Sequence, residues 1–256
     1  KISKSKHGSL TSPFNLLDQY GADSLRFWAS NASLGSDMPL VMEDFNLGKR
    51  TLTKLWNAFR LAAAHLKDFT PAAMPSLEVM DTWMLSRLNR SIELSTSYLE
   101  AYDFRNARLE IGELFWSAFC DNYLEFIKDR LYNPEGRGEQ PRRAAQYTIY
   151  RTGLALLKLY APYIPHITEE LYCSIYRPFE KTNSIHLTRW PEKEVLPQGA
   201  EFAESAGNAA VHILSHIRRF KTERNLSIKA PVAKLIIQAH PDNHSMLAAA
   251  LEDLKA

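Results

Sequence analysis

The chain has 256 residues and a formal net charge of +2, with 45% hydrophobic and 23% charged residues. This balance is typical of a globular protein with one large domain or two small ones. The two cysteines, Cys120 and Cys173, form no Cys-x-x-Cys pair, so we expect neither a zinc site nor a disulfide framework, and we expect a cytoplasmic protein. No run of about 18 apolar residues occurs, so we expect no membrane span.

The two ends of the sequence predict a piece of a longer protein. The first residue is Lys1 rather than Met, and the last residues, 246–256, lie within a helical pattern of apolar side chains. No apolar stretch follows the first lysines, so we expect no signal peptide.

Proline, glycine and capping residues divide the chain into predicted helices. Ser12 and Pro13 are typical of a helix start, and Gly21 is placed to end that helix. Pro71 and Pro162 end two later helices. In the long segments the apolar residues recur at i, i+3, i+4 and i+7. The predicted helices cover residues 12–20, 22–33, 45–69, 81–102, 104–132, 142–160 and 200–224, with shorter helices that begin near residues 165 and 243.

Long amphipathic helices joined by short breaks predict a mainly α fold, an antiparallel helical bundle. Residues 177–199 contain proline and are predicted to be an extended linker. Beyond the linker a helix precedes the run Val232–Gln238, whose residues are typical of a strand. We therefore expect four parts, which are residues 1–42, the bundle over 43–176, the linker over 177–199 and a small α/β annex over 200–256.

The first residues of the chain are rich in lysine and serine. Ammonium groups on a loop stabilise the negative charge that develops in phosphoryl or nucleotidyl transfer. A solvated basic tail is an equal alternative when these residues are considered alone. The candidate residues are Lys1, Ser3, Lys4 and Ser5.

One side of the helix predicted over residues 45–69 carries cations and an amide. At about 100° per residue, Arg50, Lys54 and Asn57 lie opposite the apolar residues, and Arg60 lies at the margin. No acidic partner occurs among them at helical spacing, so this side suits contacts with phosphates and base edges. A solvated surface stripe is the alternative, and the residues alone favour it. The residues expected on the buried side are Leu52, Leu55, Trp56, Phe59 and Ala63.

The densest basic run of the chain lies in residues 216–231. Arg218 and Arg219 are its candidate contacts, because a cluster of cations favours a phosphate backbone. A solvated helix end is a nearly equal alternative.

A group of polar residues near position 166 has the spacing of a metal site. His166 and Glu170 lie at i and i+4, so they are able to share a metal. Pro165 begins a helix, however, and Glu169 and Glu170 lie near its first turn, where the helix dipole favours carboxylates. We therefore expect no metal site.

Two strings near the start resemble signatures of a known enzyme family. KISKSKHGS is similar to the KMSKS loop of class I aminoacyl-tRNA synthetases, and SPFNLLDQYGADSLRFWAS is similar to the helix pair behind that loop. The resemblance implies that Lys1 and Lys4 are catalytic cations over the phosphates of ATP, which binds with Mg as a substrate of the full-length enzyme. Ser3 and Ser5 are implied contacts of the same phosphates.

The strings LGSDMP and LTKLWNAFRL resemble the valine-specific members of this family. Isoleucine-specific members usually carry a different string here, and they remain the first alternative. In the family this helix opens the anticodon-binding bundle, so the resemblance implies that Lys54, Asn57 and Arg60 contact tRNA. Residues 1–42 are then the ATP loop and helices that contact the tRNA stem.

The resemblance also implies an activity for the full-length enzyme, which is to join valine to its tRNA through a valyl-adenylate. The expected partners are the valine-accepting tRNA and the rest of the synthetase chain. We expect binding neither to DNA nor to a membrane. The chain contains no adenylate-forming domain, so we expect that in isolation it neither activates valine nor edits mischarged tRNA, and that it has no cofactor of its own. A helical protein-binding module with a lysine-rich tail is the second alternative.

Overall fold

A computed structural model describes residues 12–255, and helices make up 71% of these residues. The helices are α1 (Pro13–Tyr20), α2 (Ala22–Ala29), α3 (Met42–His65), α4 (Val79–Glu100), α5 (Phe104–Glu113), α6 (Leu124–Phe126), α7 (Lys128–Tyr132), α8 (Pro134–Arg137), α9 (Glu139–Tyr160), α10 (Pro165–Ile175), α11 (Arg177–Glu180), α12 (Ala200–Glu223) and α13 (His244–Lys255). A π-helix follows α5 (Leu114–Tyr123), and two 3₁₀ turns cover Ile185–Leu187 and Pro241–Asn243. The predicted helical bundle is confirmed. None of the helices within residues 12–255 combines the length and the apolar character that a membrane span requires.

The helix boundaries follow the sequence signals closely at proline and glycine and less closely elsewhere. Gly21 has a φ of +79°, and its N–H donates to the carbonyl of Leu17, so α1 ends where the sequence predicts. The single helix predicted over 104–132 is wrong in its middle, because the π-helix interrupts it. The wider i→i+5 turn keeps residues four apart on one side, and Phe115, Phe119 and Tyr123 are all buried.

The strand predicted at Val232–Gln238 does not form. Among the described residues, this segment forms no regular secondary structure and pairs with no strand. Val232 and Ile236 are 49% and 69% exposed. An apolar, β-branched sequence favours extended backbone, but a strand also needs a neighbour that accepts and donates its ladder hydrogen bonds. The expected α/β annex is therefore helical among the described residues.

The chain forms two compact units, each assembled from three separate stretches of sequence. Unit 1 contains residues 12–71, 89–115 and 149–193 of the described chain, and unit 2 contains residues 72–88, 116–148 and 194–255. The division into four parts at residues 42, 176 and 199 remains a prediction.

In unit 1, two side chains of α2 fix this helix to the start of α10. The carboxylate of Asp23 accepts hydrogen bonds from the backbone N–H groups of His166 (3.3 Å) and Ile167 (2.8 Å), which are otherwise unpaired at the first turn of a helix. Arg26 donates to the carbonyls of Pro162 (2.7 Å) and Tyr163 (3.2 Å) just before that turn. The two ends of this connection lie more than 130 residues apart in sequence.

In unit 2, a buried arginine joins three elements. Arg130 has no exposed side-chain surface, and its guanidinium donates to the Asp81 carboxylate at 2.7 Å and to the Asp253 carboxylate through Nε at 2.9 Å. The Tyr123 hydroxyl donates to the other Asp81 oxygen at 2.6 Å. Burial alone lowers the pKa of Arg130, but the neighbouring carboxylates raise it above its ordinary value, so the guanidinium stays charged in the core. The network ties α13 to α4 and α7.

Helix α12 also approaches α4 very closely in unit 2. A Cβ atom at Gly207 would lie 2.3 Å from Cγ of Trp83, so only glycine fits at this contact. The Trp83 indole donates to Asn208 Oδ1 at 2.9 Å, and the Ser86 hydroxyl donates to Glu204 at 2.9 Å. These contacts fix the position of α12 against α4.

Removing the buried guanidinium destabilises unit 2 strongly. We expect Arg130→Met to lower the free energy of unfolding by about 3–5 kcal/mol, because Asp81 and Asp253 then remain in the core without their cation. Urea denaturation followed by circular dichroism measures the change. Arg143→Met at an exposed ion pair with Glu139 is the matched control, and we expect it to change the value by less than about 0.5 kcal/mol. Equal effects for both variants would contradict the assigned role of Arg130.

Candidate nucleic-acid interface

Helix α3 buries one continuous side in unit 1. Phe45 and Leu55 have no exposed surface and Phe59 has 1%, and small residues between them are also buried. This side packs against α2 and α10. Because the buried residues recur at the helical period, the opposite side of α3 must face solvent.

The cations and the amide predicted for this helix lie on its solvent side. Arg50, Asn57 and Arg60 are exposed, and Lys54 is half-buried at the edge of the same side. Three of the four predicted positions are therefore exposed, and their role as RNA contacts stays a prediction. We call the surface formed by Arg50, Lys54, Asn57 and Arg60 the α3 basic face.

Arg50 differs from the prediction in having an acidic partner. Its Nη2 lies 2.7 Å from the Glu43 carboxylate, two helical turns earlier, at a spacing of seven residues that the sequence interpretation overlooked. Both side chains are more than 60% exposed, so water screens the pair and its contribution to stability is at most about 1 kcal/mol. A phosphate that approaches Arg50 therefore competes with a weak partner.

Trp56 was predicted on the buried side of this helix, and that prediction is wrong. Its side chain is 45% exposed. The buried stripe centres on Leu55 and Ala62, and Trp56 lies about 100° around the helix from Leu55. The stripe includes small residues such as Thr51 and Ala58, whereas the prediction was based mainly on large apolar residues. Their spacing is the signal that would have placed Trp56 correctly.

The exposed indole of Trp56 lies one turn before Arg60 on α3. Residues at i and i+4 are neighbours on a helix surface. An exposed aromatic ring beside a guanidinium is the combination on which unstacked nucleobases stack, while the cation contacts the phosphate. Trp56 therefore extends the α3 basic face.

The two arginines predicted on α12 are already engaged within unit 2. Arg218 donates through Nη2 to the carbonyl of Asp121 at 2.5 Å and through Nη1 to Asn122 at 3.4 Å. Arg219 pairs with Glu223 at 2.8 Å, with both side chains exposed. Arg218 thus connects α12 to the π-helix, whereas Arg219 remains accessible from solvent. The segment Lys1–Ser5, with the predicted ATP contacts Lys1, Ser3, Lys4 and Ser5, lies outside the described residues.

Two of the polar residues near position 166, His166 and Glu169, make contacts within the protein. His166 Nδ1 lies 2.8 Å from Asp23, and the Glu169 carboxylate accepts from the Ser184 hydroxyl at 3.0 Å and the Ile185 N–H at 2.9 Å. Burial raises the pKa of Glu169, but these hydrogen bonds lower it by more, so the pKa lies below its ordinary value. Glu169 therefore fixes the turn that follows α11.

Comparison with known proteins identifies the family. The sequence model described as "Anticodon-binding domain of tRNA ligase" matches residues 81–237. The chain belongs to this family. The curated relatives include a valine–tRNA ligase of Wolbachia pipientis wMel, which is 38% identical over 258 residues, and one of Rickettsia akari (strain Hartford), which is 40% identical over 245 residues. Another is a valine–tRNA ligase of Thermococcus kodakarensis, 36% identical over 255 residues.

These matches cover almost all of the chain and a smaller part of each relative. They span 100%, 92% and 99% of the chain and 29%, 29% and 28% of the three relatives. A solved structure also shares the fold. The ternary complex of the Agrobacterium radiobacter K84 agnB2 LeuRS with tRNA and LeuAMS matches with a TM-score of 0.52 and 20% identity, over 76% of this chain and 22% of that chain.

The hydrogen bonds of Glu169 predict a pH-dependent contribution to the stability of the chain. Because the pKa of Glu169 is lower in the folded than in the unfolded chain, its ionised form stabilises the fold above about pH 4.3, and this contribution is lost as the pH falls through the lower folded pKa. We expect Glu169→Gln to lower the free energy of unfolding by about 1–2 kcal/mol at pH 7 and by much less at pH 3.

Chemical denaturation at the two pH values checks this expectation. Glu170→Gln, at the exposed neighbouring position, is the matched control and should have little effect at either pH. A loss of stability for Glu169→Gln that is the same at pH 3 and pH 7 would show that the carboxylate charge is not responsible.

Proposed function

We propose that this chain is the tRNA-binding part of a valine–tRNA ligase, and that the α3 basic face binds the anticodon arm. The observation that carries the proposal is the row formed by the exposed Arg50, Asn57 and Arg60 and the half-buried Lys54, on a helix whose other side is buried, in a member of the anticodon-binding family. The LeuRS complex, which shares the fold, contains tRNA, and this supports the choice of partner.

The chemistry of the face suits single-stranded RNA. Arg60 and Asn57 have no hydrogen-bond or ion-pair partner within residues 12–255, so both are available to a ligand. A guanidinium binds phosphate oxygens, and an amide reads a base edge by donating and accepting at once. The exposed ring of Trp56 offers a stacking surface, which is worth about 1–3 kcal/mol per base. Arg219 is a further phosphate contact on unit 2.

The valine assignment rests on the relatives. The three relatives described above are all valine–tRNA ligases, at 36–40% identity over nearly the whole chain. We propose that the full-length enzyme uses ATP with Mg, that Lys1 and Lys4 act on the ATP phosphates beside Ser3 and Ser5, and that the isolated chain does not catalyse the reaction. An isoleucine-specific enzyme is the first alternative.

A protein-binding role is the second alternative, and one feature of unit 2 favours it. The C-terminal half of α12 and the segment Val232–Gln238 enclose an apolar groove of about 790 Å³, next to the exposed Phe220 and Leu226. Exposed apolar surfaces of this kind are typical of protein interfaces. Binding through the groove depends little on salt, whereas binding of RNA phosphates depends on it steeply.

Binding of tRNA transcripts tests the proposed function. We expect the chain to bind the valine-accepting tRNA and to lose affinity by orders of magnitude between about 50 and 200 mM salt. Exchanging the valine anticodon for an isoleucine anticodon should weaken the binding. Filter binding at several salt concentrations measures both effects. No binding at low salt would favour the protein-binding alternative, and equal binding of both anticodons would remove the valine assignment.

Single substitutions on α3 locate the interface. We expect Lys54→Ala and Arg60→Ala each to weaken tRNA binding by about 1–3 kcal/mol, because each removes a phosphate or base contact. Trp56→Ala should have a similar effect, whereas Trp56→Phe should retain most of the affinity because it keeps an aromatic face. Substitutions at all three positions should leave the circular dichroism spectrum unchanged. The control is Arg143→Ala on α9. An equal loss of tRNA affinity for this control would show that the α3 basic face is not the binding surface.

A further inference from the structure

Unit 1 contains a pocket that is smaller than the apolar groove of unit 2. Basic side chains line this pocket, and none of them belongs to the α3 basic face. It has a volume of about 200 Å³ and lies between the end of α9 and the segment that follows α10 and α11. Lys158, His186 and Arg189 contribute to its lining, together with the ring of Trp190. Neither the predicted site residues nor the basic run of α12 includes any of these side chains.

Hydrogen bonds hold the walls of this pocket in place. The Trp190 indole donates through Nε1 to Thr96 Oγ1 at 2.9 Å, and the Thr188 hydroxyl donates to the carbonyl of Ile185 at 2.6 Å. His186 Nε2 lies 3.2 Å from the carbonyl of Pro165. Because a carbonyl only accepts, the Nε2 atom carries the hydrogen, so the orientation of the imidazole is set. The segment that carries His186 and Arg189 is therefore held against neighbouring elements of unit 1.

The charges of the pocket favour an anion. Arg189 is exposed and always protonated, and within residues 12–255 it has no hydrogen-bond or ion-pair partner. Lys158 adds a second positive charge. The carboxylate of Glu169 lies 3.9 Å from His186 Nε2, and it is already the acceptor for Ser184 and Ile185. A ligand that occupies the pocket thus lies beside the cationic side chains of Arg189 and Lys158.

We propose that this pocket binds a phosphate group, and that the RNA backbone of a bound tRNA supplies it. A phosphate offers several acceptor oxygens, which match the guanidinium of Arg189 and the ammonium of Lys158. The volume of about 200 Å³ accommodates one phosphate with its ribose, and the adjoining base has the Trp190 ring beside it. A free phosphate compound has the same chemistry. The choice of RNA as the source rests on the proposed function, whereas the phosphate site itself does not.

Inorganic phosphate tests the site without tRNA. The 256-residue chain is labelled with ¹⁵N in arginine, and inorganic phosphate replaces chloride at constant ionic strength. The NMR resonance of the Arg189 Nε–H group is followed during the titration. We expect a saturable shift at this resonance. Lys158→Gln should weaken the apparent affinity about three- to tenfold, because it removes one charge-assisted contact. Arg143→Gln is the control, and it should leave the Arg189 titration unchanged. An Arg189 shift that does not saturate overturns the proposal.

The salt dependence of tRNA binding tests the source of the phosphate. Arg189→Gln should weaken binding about three- to tenfold and reduce the slope of log K against log salt by about 1, as expected for one lost phosphate contact. Arg189→Lys should restore part of the slope. Loss of affinity on Arg60→Ala with no change on Arg189→Gln would overturn the RNA source while the proposed function stands. If the chain binds no tRNA and the phosphate titration still saturates, the proposed function fails and the pocket is a site for a free phosphate compound.

Discussion

The burial of one side of α3 is the constraint on which the candidate interface depends. Phe45, Leu55 and Phe59 lose almost all contact with water, and burial of each large side chain contributes about 1.5–3 kcal/mol. A helix rotated to expose them would forfeit this stabilisation, so Asn57 and Arg60 must stay in solvent. The hydrophobic packing of α3 in unit 1 thus determines that Asn57 and Arg60 face the solvent.

Residues within a string that carries the family resemblance also stabilise the fold of unit 1. Asp23 and Arg26 belong to the string near the start of the chain, and they fix α2 to the first turn of α10 by capping its backbone groups. Glu169, in the second of these elements, fixes the turn near Ser184. The charged side chains of Asp23, Arg26 and Glu169 therefore pair with backbone groups at helix ends and turns, where an unpaired buried backbone group would cost about 1–3 kcal/mol.

Local charge, rather than net charge, distinguishes the candidate surfaces. A net charge of +2 is compatible with many functions, yet the solvent side of α3 and the small pocket near Arg189 each bring several cationic side chains together. Arg130 shows the opposite case, a cation that is completely buried and neutralised by two carboxylates. Whether an arginine is available to RNA thus depends on its burial and its partners, which differ among Arg60, Arg130 and Arg218.

The sequence by itself determined the helical fold and most of the solvent side of α3, because proline, glycine and helical periodicity act within a few residues along the chain. It indicated the family only through the resemblance of whole strings to those of known members. Only the tertiary structure decided which large side chains are buried. Trp56 is exposed although it is apolar, and Arg130 is buried although it is charged and its partner Asp253 lies 123 residues away. Such contacts, like the missing partner strand of Val232–Gln238, depend on which distant segments meet, and local sequence patterns carry no information about that.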